Sequence, residues 1–149
     1  MSEYPALSTQ VIGQAESALG ALLEPLLASG GITFHEWLVL VITAASGGSS
    51  ERGQLVGRIS AARKVDAAAI ETAIAELAAA GMVIDEGPVE FTDAGRATYQ
   101  RLRDAVEETT ARLFDFPPAD LAAAGRLLSV ITERANALLS AQQGVVAGA

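Results

Sequence analysis

One segment constrains this chain more than any other. Leu121, Ala124, Leu128, Ile131, Ala135 and Leu138 follow one another at steps of three and four residues. That is a heptad seam, a narrow apolar face that a helix must cover with another helix. Leu127, Val130 and Leu139 broaden it. A second stripe, Leu7, Val11, Ala15, Leu19, Leu22 and Leu26, predicts a helix over 7–28. Ser29-Gly30-Gly31 stops it, because Gly suits the left-handed conformation beyond a helix end. A chain of 149 residues is one domain, or one domain with extensions. Two long apolar stripes at its ends therefore need partners, within the subunit or across a two-fold dimer.

The middle of the chain is built from shorter pieces. Thr33 with Glu36 three residues on is a capping box, opening a helix through Trp37, Leu38, Leu40, Val41 and Ala44. Ser46-Gly47-Gly48-Ser49 reads as a loop, with Ser50 as the cap of a third helix carrying Leu55, Val56 and Ile59. Asp66 caps a fourth, with Ile70, Ala73, Ile74 and Leu77 inward and Gly81 at its end. Met82-Val83-Ile84 and Val89-Glu90-Phe91 flank the turn Asp85-Glu86-Gly87-Pro88 and predict a hairpin. Thr92 caps a long helix to about Phe114, striped by Leu102, Ala105, Val106, Thr109 and Leu113. Phe116-Pro117-Pro118 breaks it, and Pro118 suits the first turn of the last helix. The tail from Gln142 is expected to fray.

A hairpin after a compact helix trio is a winged helix-turn-helix arrangement. The expected fold is mainly α: a winged lobe of three helices and a short β-hairpin, with long N- and C-terminal helices forming a dimerisation bundle. The segments are 1–31 (N-terminal dimerisation helix), 32–92 (winged, DNA-binding lobe), 93–142 (C-terminal dimerisation helices) and 143–149 (disordered tail).

Composition excludes several other classes. There is no Cys and one His, so thiolate zinc sites, disulfides, cysteine nucleophiles and multi-His metal sites are ruled out. The mean hydropathy of +0.33 invites a membrane reading. The best uncharged run, Trp37 to Ser50, has only 14 residues, whereas a spanning helix needs about 20. No basic region precedes an apolar run at the N-terminus, so no secretory signal is expected. A cytoplasmic protein without membrane association is expected. No serine is recognisably paired with a base, and Gly47-Gly48-Ser49-Ser50 lacks the Lys and preceding strand of a phosphate loop. The reading is therefore a non-enzyme with no cofactor or metal. A net charge of −8 opposes nonspecific nucleic-acid binding, which depends on Lys and Arg meeting phosphates.

Three segments nevertheless resemble the MarR family of winged-helix regulators: Gly31-Ile32-Thr33-Phe34-His35-Glu36-Trp37-Leu38-Val39-Leu40, Leu77-Ala78-Ala79-Ala80-Gly81-Met82-Val83, and Phe91-Thr92-Asp93-Ala94-Gly95-Arg96. With the flanking helices the likeness covers roughly 7–142. It implies a homodimer that binds pseudo-palindromic duplex DNA, with a small-molecule effector pocket between the DNA-binding lobe and the dimer helices. Two departures stand against it. The family's wing is usually longer and carries an Arg, whereas this tip is short and acidic. Its recognition helix usually exposes Ser, Thr and Arg, whereas Ala67, Ala68, Glu71, Thr72 and Ala75 face outward here. Over 47–92, Arg52, Arg58, Arg63 and Lys64 stand against seven acids. An acidic lobe keeps a second reading open: a winged-helix dimer with weak or lost DNA affinity, acting as a protein-interaction or ligand-binding adapter.

The expected DNA contacts are Arg58, Arg63 and Lys64 on phosphates and Ala68, Glu71 and Thr72 on the reading helix. Alanine can touch a thymine methyl and Glu can accept from cytosine. The alternative for the three cations is a solvated polar edge, and for Glu71 a solvated acid. His35, Trp37, Tyr99 and Arg103 are the effector-pocket candidates, with core packing the alternative for Trp37. The expected dimer contacts are Leu19, Leu22, Leu121, Leu128, Ile131 and Leu138.

Overall fold

The computed structural model describes residues 3–147. Its elements are α1 (Thr9–Ser29), α2 (Phe34–Ala45), β1 (Ser49–Ser50), α3 (Arg52–Arg63), α4 (Ala67–Ala79), β2 (Val83–Ile84), β3 (Val89–Phe91), α5 (Asp93–Ala111) and α6 (Pro118–Ala147). The chain divides into two compact units, Met1–Glu108 and Thr109–Ala149. The fold is mainly helical, with a small three-stranded sheet.

In the first unit the local signals act as read. Ser8 caps α1 by accepting from the Val11 N–H at 3.3 Å, so the helix starts two residues later than the stripe suggests. It ends in a Schellman motif: Gly31 takes φ +70°, its N–H donates to the Ala28 carbonyl, and the Ile32 N–H donates to the Leu27 carbonyl. The capping box of α2 is formed in both directions, between Thr33 Oγ1 and the Glu36 N–H and between Glu36 Oε1 and the Thr33 N–H. Leu55, Val56 and Ile59 of α3 and Ile70, Ala73, Ile74 and Leu77 of α4 are all buried. They close around Val39 and Leu40 of α2, together with Val83, Val89 and Leu102.

Four local expectations need correction. Ser49 and Ser50 are not a loop and a helix cap; they form β1. The sheet order is β1-β3-β2, antiparallel, with Ser49 opposite Glu90 and Val83 opposite Phe91. Two serines carry no apolar alternation, so only pairing with β3 makes them a strand. The cap of α3 passes to Glu51, whose carboxylate accepts from the N–H groups of Gly53 at 2.9 Å and Gln54 at 2.7 Å. The Gly53 bond first, then the Gln54 bond, holds its pKa below the usual carboxylate value. Asp66 stands at the N-cap of α4 but makes no capping hydrogen bond. Finally, α5 ends at Ala111 rather than near Phe114.

The wing is bound to α5 by backbone. The Thr92 N–H donates to the Met82 carbonyl at 3.1 Å, and Thr92 Oγ1 donates to the Gly81 carbonyl at 2.6 Å. The Gly95 N–H returns a bond to Thr92 Oγ1 at 3.0 Å. A Cβ on Gly95 would stand 1.8 Å from the Met82 carbonyl oxygen. Only glycine permits this approach.

In the second unit, α6 starts at Pro118, where a missing N–H costs nothing. Thirty residues make it about 45 Å long. The disordered tail expected for 143–149 is helical as far as Ala147, and residues 148–149 lie outside the described residues. Among the described residues, no single helix is long and apolar enough to cross a membrane.

Candidate nucleic-acid interface

The helix α4 buries one face in the lobe and exposes the other. Ala67, Ala68, Thr72, Ala75 and Glu76 are exposed. Thr72 Oγ1 donates to the Ala68 carbonyl one turn earlier, at 3.0 Å. Its hydroxyl proton is thereby engaged, and what remains to offer is an acceptor and a methyl group.

Glu71 is a part-exposed acid with an ion-pair partner that neither expected reading included. Its Oε2 accepts from Arg52 Nε at 2.7 Å and from Arg52 Nη2 at 2.5 Å. Arg52 Nη1 donates to Asp85 Oδ2 at 3.3 Å. These partners, Glu71 first, hold the guanidinium still more firmly protonated than usual. Sequence reasoning missed Arg52 as a site residue. Its partners lie 19 and 33 residues away, beyond any helical or strand period.

The three other cations do not form one cluster between α3 and α4. Arg58 and Arg63 both belong to α3. Five residues apart, they point about 140° from each other around the helix. Arg63 lies 3.5 Å from Glu16 of α1 and places its guanidinium 5.0 Å from the centre of the Phe34 ring. Lys64 ends α3 in the left-handed conformation, φ +57°, and its Nζ donates to the Ala61 carbonyl at 2.7 Å. Arg58 is exposed and has no ion pair or hydrogen bond among the described residues. On the wing, Glu86 and Glu90 are exposed, and Glu90 accepts from Ser49 Oγ at 3.3 Å.

Of the effector-pocket candidates, two come together. Trp37 of α2 and Tyr99 of α5 stack with ring centres 5.5 Å apart. Phe91 of β3, a ring that sequence reasoning did not single out, lies 5.6 Å from Tyr99. Arg103 follows Tyr99 by one turn, but its Nε donates to Glu107 at 2.9 Å. His35 is half-buried two residues before Trp37 and joins none of these contacts among the described residues. No group of three or more potential ligands is placed to hold a metal among the described residues.

The expected dimer residues are divided between the two units. In the first unit Leu19 is half-buried and Leu22 is exposed. In the second, Leu121, Leu128, Ile131 and Leu138 of α6 are 37–66% exposed, so the heptad seam lies open along the single chain.

No sequence-family model matches the chain, and no curated protein matches it in sequence. Solved structures do match. The Mycobacterium tuberculosis MarR family protein Rv2887, in complex with DNA, is similar at 22% identity and a TM-score of 0.67, over 85% of this chain and 98% of that one. CouR from Rhodococcus jostii RHA1, bound to p-coumaroyl-CoA, is similar at 16% identity and a TM-score of 0.70, over 81% and 88%. NadR in complex with 4-hydroxyphenylacetate is similar at 19% identity and a TM-score of 0.65, over 88% and 95%. With its helix trio, short wing and long flanking helices, this chain has the winged-helix fold of the MarR-family transcriptional regulators.

Proposed function

We propose that the protein is a dimeric, cytoplasmic transcriptional regulator that binds pseudo-palindromic duplex DNA through α4 and answers to a small-molecule effector. The observation that carries this reading is α4 itself. It is a helix buried on one face, flanked by a wing, with an uninterrupted outer face of Ala68, Thr72 and Ala75. Small side chains let such a helix sit deep in a major groove, where alanine and the threonine methyl meet thymine methyls. Arg58 and Lys64, which precede it in the chain, are the proposed phosphate contacts, and Arg63 joins them if it leaves Glu16. Phosphate contacts set register while the base contacts choose sequence.

The open seam of α6 supports the dimer, because four large apolar residues on one face need cover. We place the effector beside the Trp37–Tyr99 stack, with His35 and Arg103 as its polar neighbours. The ligands in the CouR and NadR structures support an effector in this fold. The role is binding, with no catalytic step.

The acids on the wing favour a second reading, an adapter with lost DNA affinity. A gel shift with duplex from upstream of the protein's own gene, at two salt concentrations, decides between them. A shift that weakens with salt supports the regulator. Absence of any shift at low salt, where attraction is least screened, leaves the adapter.

A further inference from the structure

Arg52 is the cation that joins the reading helix to the wing. It opens α3, and its guanidinium joins Glu71 of α4 to Asp85 at the base of the wing tip. Nothing in helix formation favours it there, since a cation in the first turn faces the positive end of the helix dipole. Its partners are the informative part. Glu71 lies beside the exposed residues Ala68, Thr72 and Ala75, and Asp85 begins the tip. Left unpaired, both carboxylates would add negative charge beside the helix and wing that the regulator reading sets against DNA. Three of the five guanidinium N–H groups are directed at these two acids.

We propose that Arg52 is a positioning residue for DNA binding: it is the internal counter-ion of Glu71 and Asp85 and ties the wing to the reading helix. DNA affinity then depends on Arg52 without Arg52 touching DNA. This rests on the regulator reading above. It also answers the objection raised by the acidic lobe. Of its seven acids, Glu71 and Asp85 are held by Arg52 and Glu51 is held by the N-terminus of α3.

The test is a mutational cycle read by fluorescence anisotropy with the upstream duplex. Arg52→Met should weaken binding about tenfold or more at low salt, and less at high salt, because it unmasks two charges that salt can screen. Its melting temperature should stay near that of the native chain, since the pair is part-exposed. Adding Glu71→Gln and Asp85→Asn to Arg52→Met should restore affinity to within about threefold, a non-additive result that marks direct coupling. Arg52→Lys, which keeps the charge but loses the fork, should fall between the two.

Arg52→Met binding as well as the native chain would overturn the proposal. So would a triple variant as weak as Arg52→Met, which would mean that Arg52 itself meets phosphate. Those two outcomes leave the regulator reading intact. If the native chain shifts no duplex, the regulator reading falls and this proposal falls with it.

Discussion

Gly95→Ala tests the packing of the wing against α5. The new Cβ would stand 1.8 Å from the Met82 carbonyl oxygen and 2.7 Å from its carbon. An ordinary carbon–oxygen contact is about 3.3 Å, so one backbone must move by about 1.5 Å. Neither can yield by turning a side chain. The same two segments are joined by the Thr92 bonds to Met82 and Gly81. Overpacking of this kind costs about 3 kcal/mol, and one weakened hydrogen bond adds about 1 kcal/mol. Against this, Ala is favoured over Gly inside a helix by about 1 kcal/mol. The net is a loss of about 3 kcal/mol, or about 6–12 °C in Tm for a chain of this size. Gly57→Ala is the matched control. It lies inside α3 with nothing within 4 Å of its Cβ, so only the propensity gain remains. It should raise Tm by about 2–4 °C. Thermal unfolding followed by circular dichroism, at one protein concentration, measures both. If Gly95→Ala is as stable as Gly57→Ala, the close approach is not a constraint and the reasoning is refuted.

Leu128→Asp or Ile131→Asp should convert the proposed dimer to monomers or aggregates, because each would put an unpaired charge in the contact proposed for α6; sedimentation velocity shows it, and a native chain that is monomeric at micromolar concentration contradicts it. Glu51 should contribute to stability above its unfolded pKa, and this contribution should vanish as pH falls through its lowered folded value. The Tm gap between the native chain and Glu51→Gln should therefore begin to close as pH falls through the unfolded carboxylate pKa and be gone below the lowered folded value. Arg58→Ala should weaken binding to all duplexes alike. In the proposed dimer each of two subunits would lose one phosphate contact, so the slope of log K against log salt should flatten by about 2, and a change in sequence preference would count against a phosphate role.

Much of this fold is legible along the chain, because the signals are local. The capping box at Thr33 and Glu36 needs only four residues. The buried set Ile70, Ala73, Ile74 and Leu77 follows from helical period alone, as do Leu55, Val56 and Ile59. The hairpin announces itself through its turn residues. The tertiary structure decided what those periods cannot carry. Ser49 and Ser50 become a strand only because β3 offers them Glu90 and Val89 as partners, far away in the chain. Arg63, read as a phosphate clamp, turns to Glu16 and Phe34. Glu71, read as solvated, is held by an arginine 19 residues earlier. Apolar burial repeats with the pitch of a helix, so a single chain displays it; an ion pair between distant elements depends on where two side-chain ends meet in space, and no local period of the chain encodes that meeting.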